Sequence, residues 1–323
     1  MYADVLVTTD GSDPAEAAAA HAIELASRFG ATVHLLHVVD TRLGAVGLGR
    51  GAESALASLR ANGEAALDRL RSRAEAADVA VTVELDEGSP LAVIADRAAD
   101  CDLVVVGTHG RTGLRRFVLG SVAEALVTEP PAPLLIVPPD EHPVSYRDVL
   151  VGTDGGATAG LATDHAVAVA DRYAALLHAV SVVDERLDRT SPFRAALERA
   201  ASEAVRDVAA AAAERDVTVE TRVLTGVPAE ELLDAAERRT ADLIVVGTRG
   251  GGSLDRLAVG SVARRIVRAG QAPTLVVPGP EEGADADEPG GDEATVDDAV
   301  SIGPDAVDDA SDADEGEPDA GGR

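Results

Sequence analysis

Two stretches 144 residues apart open alike: Asp4-Val5-Leu6-Val7-Thr8-Thr9-Asp10-Gly11 and Asp148-Val149-Leu150-Val151-Gly152-Thr153-Asp154-Gly155. Each is a short β-branched apolar run that closes on an aspartate and a glycine turn, the pattern of a buried strand. The next elements of the chain repeat as well. In the first copy Ser12 or Asp13 can cap a helix, Pro14 suits its first turn, and Gly30 supplies the stop. Strands over 32–39 and 176–183 both close on Val-Val-Asp, and helices over about 53–77 and 193–215 come next. Strands near 80–86 and 218–224 lead to the matching turns Gly88-Ser89-Pro90 and Gly226-Val227-Pro228, each opening another helix. An internal duplication of this kind is the strongest constraint on the fold. Each half reads βαβαβαβαβ, which calls for an α/β architecture: two tandem doubly wound domains, each a parallel sheet with flanking helices.

The fourth strand of each half carries the chemistry. Leu103-Val104-Val105-Val106 runs into Gly107-Thr108-His109-Gly110, then nine residues, then Gly120-Ser121 and a helix from Val122. The second copy has Leu243-Ile244-Val245-Val246, then Gly247-Thr248-Arg249-Gly250, nine residues, and Gly260-Ser261 before Val262. A strand, a glycine-rich loop and a helix N-terminus together make an anion site, because glycine lets backbone approach phosphate oxygens and the first helical turn offers unpaired N–H groups. In an open α/β sheet such a site lies beyond the strand carboxyl ends, where the strand order reverses.

This spacing, G-x-x-G-x9-G-S, resembles the nucleotide-binding signature of the universal stress protein family, over about residues 1–279. The resemblance implies five parallel strands per domain in the order 3-2-1-4-5, with ATP bound at their carboxyl ends. It implies that Asp10 and Asp154 contact the nucleoside and that Val38 and Val182 line the adenine pocket. Gly107, Gly110, Gly120, Ser121 and Val122, with Gly247, Gly250, Gly260, Ser261 and Val262, match positions that contact ribose and phosphates. Mg²⁺ could join through the phosphates. Read without the family, Asp10 is equally an Asx-turn residue that closes its own loop. Ser121-Val122-Ala123-Glu124 also forms a capping-box pattern, which Arg264 breaks in the second copy. A cation near a helix N-terminus is unfavourable unless an anion sits there, so the second site is expected to draw phosphate more strongly. Thr8 and Gly152 stand where some family members have proline, and Asp154 is followed by Gly155-Gly156 where Asp10 has Gly11-Ser12. Those departures bear on the pocket's shape.

The 28 basic residues are all arginine, formal net charge is −29 and aromatics make up 2% of the chain. That balance resembles haloarchaeal, salt-adapted proteins, in which carboxylates hold water where salt screens charge; an ordinary acidic protein with a charged tail is the alternative. It argues against nucleic-acid or anionic-membrane partners, which need basic surface. The single cysteine, Cys101, rules out an intrachain disulfide and precedes a buried strand, so an inert packed thiol is expected. No basic-then-apolar leader and no long apolar run is present, so a cytoplasmic protein is expected. Gly44, Gly47, Gly49 and Gly51 read as a loop rather than a phosphate cradle, since no Gly-Lys-Ser/Thr occurs. The histidines lack metal-ligand spacing, and no transition metal is expected.

The domains are read as 1–139 and 146–279 with a linker at 140–145. Beyond Pro280 seventeen Asp or Glu face one arginine, more than half the net charge, and residues 280–323 read as a disordered acidic tail. The last strands, each an otherwise open edge, are the natural contact for an intramolecular pseudo-dimer, with further self-association left open. The function expected is nucleotide-dependent stress response or signalling, with one site per domain and no catalytic residues. Two rivals remain: a slow Mg²⁺-dependent ATP hydrolase using Asp10 or Asp154, and a nucleotide-free protein-interaction module.

Overall fold

A computed structural model describes residues 1–42, 52–108, 119–139, 144–186, 191–248, 260–270 and 272–279; of residues 52, 191 and 192 it describes the backbone alone. The glycine loop at 44–51, most of the linker and the acidic tail lie outside the described residues.

Strands β1 (Asp4–Thr8), β2 (Thr32–Asp40), β3 (Val81–Gly88), β4 (Leu103–Gly107) and β5 (Leu134–Val137) belong to the first half. They alternate with helices α1 (Asp13–Phe29), α2 (Ala52–Ala76), α3 (Pro90–Ala98) and α4 (Ser121–Thr128). The second half repeats the plan with β6 (Asp148–Gly152), α5 (Ala157–Tyr173), β7 (Leu176–Asp184), α6 (Ser191–Ala213), β8 (Val219–Gly226), α7 (Pro228–Arg239), β9 (Leu243–Gly247), α8 (Ser261–Ala269) and β10 (Thr274–Val277). The strands form one ten-stranded sheet in the order β3-β2-β1-β4-β5-β10-β9-β6-β7-β8. Among the described residues every pairing within a half is parallel, in the order 3-2-1-4-5, and the single antiparallel pairing joins β5 to β10 with Leu135 opposite Leu275.

Local sequence explains where elements start and stop. Ser12, in extended conformation, caps α1 and accepts from the Ala15 amide, and Gly30 ends the helix in the left-handed region at φ 70°. Period-two alternation then sorts the strand side chains to two faces. Val5, Val7, Val105 and Leu135 pack with α1, α2, α5 and α6 in one core layer; Leu6, Val104, Val106 and Ile136 pack with α3, α4, α7 and α8 in the other. Because the central strands are covered on both sides, they read as unbroken apolar runs. Burial pushes the Cys101 thiol up to about 11, which keeps it unreactive at neutral pH.

The chain holds only three Phe and three Tyr, and four of these six sit between α1 and α5, beside the β5–β10 seam. They meet the opposite half in reciprocal pairs. Tyr2 Oη lies 2.7 Å from His165 Nδ1 and Tyr146 Oη 3.0 Å from His21 Nδ1. Arg28 stacks over Tyr173 at 5.1 Å while Arg172 stacks over Phe29 at 5.5 Å. Tyr2 and Tyr146 are buried, and burial drives both phenol pKa values far above 10, so both stay protonated. No described helix is long and apolar enough to cross a membrane.

Candidate functional site

In the first half the reversal of strand order falls between β1 and β4, and there the described residues enclose a hollow of about 300 Å³. Its floor is Leu36 and Val38 of β2 with Val106 of β4; Asp10 stands at one lip, Gly107 and Thr108 at the back, and Gly120, Ser121 and Val122 at the other lip. The structure therefore brings Asp10, Val38, Gly107, Gly120, Ser121 and Val122 to one place, although 112 residues separate the first from the last. Gly110 lies outside the described residues. Pro90 and Ile94 of α3 also line the hollow. Sequence reasoning missed them; Leu36 was within its reach, since it lies two residues before Val38 and so shares its face.

Each wall has a local cause. The loop after β1 is tied by its own side chains: Thr9 Oγ1 accepts from the Gly11 amide, and Asp10 Oδ1 accepts from the Ser12 amide at 3.0 Å and from Ser12 Oγ at 2.6 Å. Asp10 is thus an Asx-turn residue whose carboxylate also faces the hollow. Gly107 serves packing as well as access. A Cβ there would stand 2.8 Å from the Pro14 carbonyl oxygen, so glycine is what allows the first turn of α1 to sit against the end of β4. The Gly120 amide donates to the Thr108 carbonyl at 2.8 Å, so the protein itself uses that N–H.

The expected capping box does not form. Gly120 occupies the N-cap position and, having no side chain, offers none, while the Glu124 carboxylate turns to Arg268 of the second half. Within α4 the first amide with an intrahelical acceptor is that of Glu124, which donates to the Gly120 carbonyl. The amides of Ser121, Val122 and Ala123 have no acceptor among the described residues, and they open onto the hollow at the positive end of the helix. That arrangement suits an anionic group carried on an apolar or planar body that rests on Leu36 and Val38.

The second half repeats the arrangement with different fittings. Asp154 Oδ1 accepts from the Gly156 amide at 3.0 Å, and with glycine at that position there is no hydroxyl to add a second bond. Gly247 ends β9, and its missing Cβ leaves room for Thr158 of α5. The Gly260 amide donates to the Thr248 carbonyl, and Ser261 and Val262 begin α8. Val182 and Val262 are partly buried against the same core layer as their counterparts Val38 and Val122. Gly250 lies outside the described residues, as do Arg249 and the arginines at 111, 115, 116 and 256.

The aspartates that close β2 and β7 have another use. Arg42 donates to Asp40 and Arg186 to Asp184, and these hydrogen bonds hold both carboxyls below the usual carboxylate range. Among the described residues no three His, Cys, Asp or Glu side chains are grouped to hold a metal ion.

Comparisons with known proteins match the fold and its duplication. The profile of the universal stress protein family matches residues 1–138 and again 145–278. A universal stress protein of Methanocaldococcus jannaschii is 39% identical over 141 residues, 42% of this chain and 82% of that protein. One from Mycolicibacterium smegmatis is 28% identical over 284 residues, 84% of this chain and 96% of its own length. The crystal structure of a universal stress protein from Archaeoglobus fulgidus superposes with a TM-score of 0.65 at 21% identity, covering 87% of this chain and 97% of that one, a likeness of fold. Built twice over from the family's domain, the chain belongs to the universal stress protein family.

Proposed function

We propose that the chain binds an adenine nucleotide, ATP first among them, and acts in stress response or signalling through occupancy rather than turnover. The site would comprise Asp10, Val38, Gly107, Gly110, Gly120, Ser121 and Val122 in a first domain of residues 1–139. Its counterpart would comprise Asp154, Val182, Gly247, Gly250, Gly260, Ser261 and Val262 in a second domain of residues 146–279. The observation that carries this reading is the first turn of α4: three amides without a described acceptor face a hollow whose opposite wall is a carboxylate and whose floor is aliphatic. Phosphates suit the amides, ribose hydroxyls the carboxylate, and a purine the aliphatic floor. Mg²⁺ would enter with the nucleotide, held by its phosphates. Hydrolysis has less support, because Asp10 Oδ1 already accepts two bonds from Ser12. The two domains are read as a fused pair, supported by the β5–β10 pairing and the reciprocal Tyr–His contacts.

The test is to denature the purified full chain, identify any released nucleotide by mass, and titrate ATP into the stripped and refolded protein. Ser121→Glu and Ser261→Glu variants place a carboxylate where phosphate is expected, and each should abolish one binding event. An empty extract together with no saturable ATP binding would overturn the proposal.

A further inference from the structure

The duplication supplies an internal reference for every surface of the molecule, and one surface differs between the copies in both charge and shape. In the first half the outer strand β3 and helix α3 are locked together by Arg97. Its guanidinium reaches Glu84 at 2.5 Å, Asp86 at 2.9 Å and Asp96 at 2.9 Å. The register fixes the counterparts in the second half. Glu84 lies opposite Leu36, and Arg222 lies opposite Val180, the residue 144 positions on from Leu36. Thus Glu84 becomes Arg222 and Asp86 becomes Leu224. Along the helix, Ile94 and Ala98 pack into the core as Leu232 and Ala236 do, so Arg97 becomes Ala235. The two strand carboxylates of the clamp and the arginine that ties them to the helix are gone, with an arginine in the place of Glu84; only Asp96 is kept, as Asp234.

What remains is a hollow of about 320 Å³ lined by Val180, Arg222, Leu224, Ala235, Arg238 and Arg239, together with His178 and Glu220. Helix α7 is three residues longer than α3, and the extra turn delivers Arg238 and Arg239. Three guanidinium groups therefore face one lining carboxylate in a chain whose net charge is −29. Glu220 is committed: it pairs with Arg239 at 2.8 Å and stands 3.8 Å from His178 Nδ1. The buried His178 is held from its other side by Asp148 at 2.9 Å. Asp234 stands 3.7 Å from Arg238 without lining the hollow. Arg222 has no carboxylate partner among the described residues.

We propose that this hollow, at the outer edge of the second half and separate from the nucleotide site, binds a small polyvalent oxyanion. Guanidinium forks match carboxylate and phosphate geometry alike, so the class is a small molecule carrying two or more such groups. Val180, Leu224 and Ala235 provide an apolar floor for the carbon body between them. In the first half, Arg97 with its carboxylates fills the corresponding position, so one site per chain is expected.

The test is isothermal titration of the full chain with citrate, as the polycarboxylate probe, and with inorganic pyrophosphate, as the phosphate probe. The same titrations are run on a variant that grafts the first half's clamp onto the second, Arg222→Glu with Ala235→Arg. At least one probe should bind with one-to-one stoichiometry, weaken as chloride rises, and bind the graft at least tenfold more weakly. Preference between the probes identifies the ligand's anionic group. ATP titrations of the graft should match those of the parent chain. Should the graft fail to fold, Arg222→Gln replaces it, with its circular dichroism checked against the parent, and the same tenfold loss is expected. Neither probe binding, or affinity unchanged in the folded variant, overturns the proposal.

Discussion

Gly107→Ala is the most informative single change. The added methyl would lie 2.8 Å from the Pro14 carbonyl oxygen and 2.9 Å from its carbon, about 0.6 Å inside the 3.4 Å at which ordinary contact begins. Both obstacles are backbone in the first turn of α1, so no rotamer change relieves them; the helix start must move. Gly107 is not among the glycines with positive φ, so alanine is sterically allowed there in backbone terms and the cost is one of packing. Overpacking of this kind costs about 1–3 kcal/mol, and the loss of glycine's unfolded-state freedom returns about 0.4–1 kcal/mol. A net loss of about 1–2 kcal/mol corresponds to a melting temperature lower by roughly 2–6 °C for folded units of this size. The second half offers the control. At Gly247 the nearest obstacle is Thr158 Cγ2 at 2.8 Å, a side-chain atom, with the Thr158 carbonyl oxygen at 3.1 Å. Thr158→Ser deletes that methyl alone, so it should rescue Gly247→Ala to within about 0.5 kcal/mol, inside the range over which independent changes add. No comparable partner exists for Gly107→Ala. Thermal unfolding of the four variants in one buffer decides the matter. If Gly247→Ala is the more damaging, or if Thr158→Ser gives no rescue, these glycines are not set by the close approach of the helices.

Three further outcomes are expected. A Cβ on Gly63 would fall 2.4–2.9 Å from the ring of the buried His37, while the matching positions in the second half hold the smaller pair Ala201 and Ser181. Gly63→Ala should therefore cost about 1–3 kcal/mol, and His37→Ser should recover most of it, read by denaturant midpoint. His165 is shifted below 6.5 chiefly by burial, so the unfolded chain binds its proton first as pH falls. Its contribution to stability is complete above 6.5 and is lost as pH drops through the lowered value. The slope of melting temperature against pH between 7.5 and 5 should flatten in His165→Gln; an unchanged slope refutes the assignment. Tyr146→Phe removes the hydroxyl that meets His21 in a fully buried setting and should cost about 1–3 kcal/mol, whereas a loss below about 0.3 kcal/mol would show that the contact contributes nothing.

Much of the architecture was legible because its determinants are local and repeated. β-branched runs such as Leu103–Val106 carry their own burial signal, and the matched Asp-Gly turns align the two halves without any coordinates. The hollow that forms the candidate site was legible in location for the same reason. Its internal connections were not, because they depend on who meets whom. Ser121-Val122-Ala123-Glu124 reads as a capping box, yet Glu124 pairs with Arg268, which is 144 residues away and comes near only through the β5–β10 seam. Gly107 reads as a glycine for phosphate approach, and nothing in its neighbourhood announces that Pro14 presses on it. Gly120 reads as a donor to a ligand, and its amide is already bonded to Thr108.

The two halves also show what a duplication can preserve and what it can release. Several positions at the centre of the sheet kept their size: Leu6 and Leu150, Val105 and Val245, Leu135 and Leu275 are buried in both copies. Here a methylene gained or lost is felt by close-packed neighbours on both sides. The outer strands are under weaker constraint. β3 and β8 have half or more of their side chains in water, where an exposed ion pair contributes little, so a clamp such as Arg97 with Glu84 could be dismantled without unfolding the domain. Divergence should therefore accumulate at the two ends of the ten-stranded sheet, and these are the places where one half can acquire a ligand that the other does not bind. That the charge reversal at Arg222 coincides with the loss of Arg97's counterpart, and with a lengthened helix carrying two more arginines, fits such an acquisition better than drift. Random loss of the arginine would leave the strand carboxylates behind, and in this acidic chain the second half has neither; of the clamp only Asp96 persists, as Asp234.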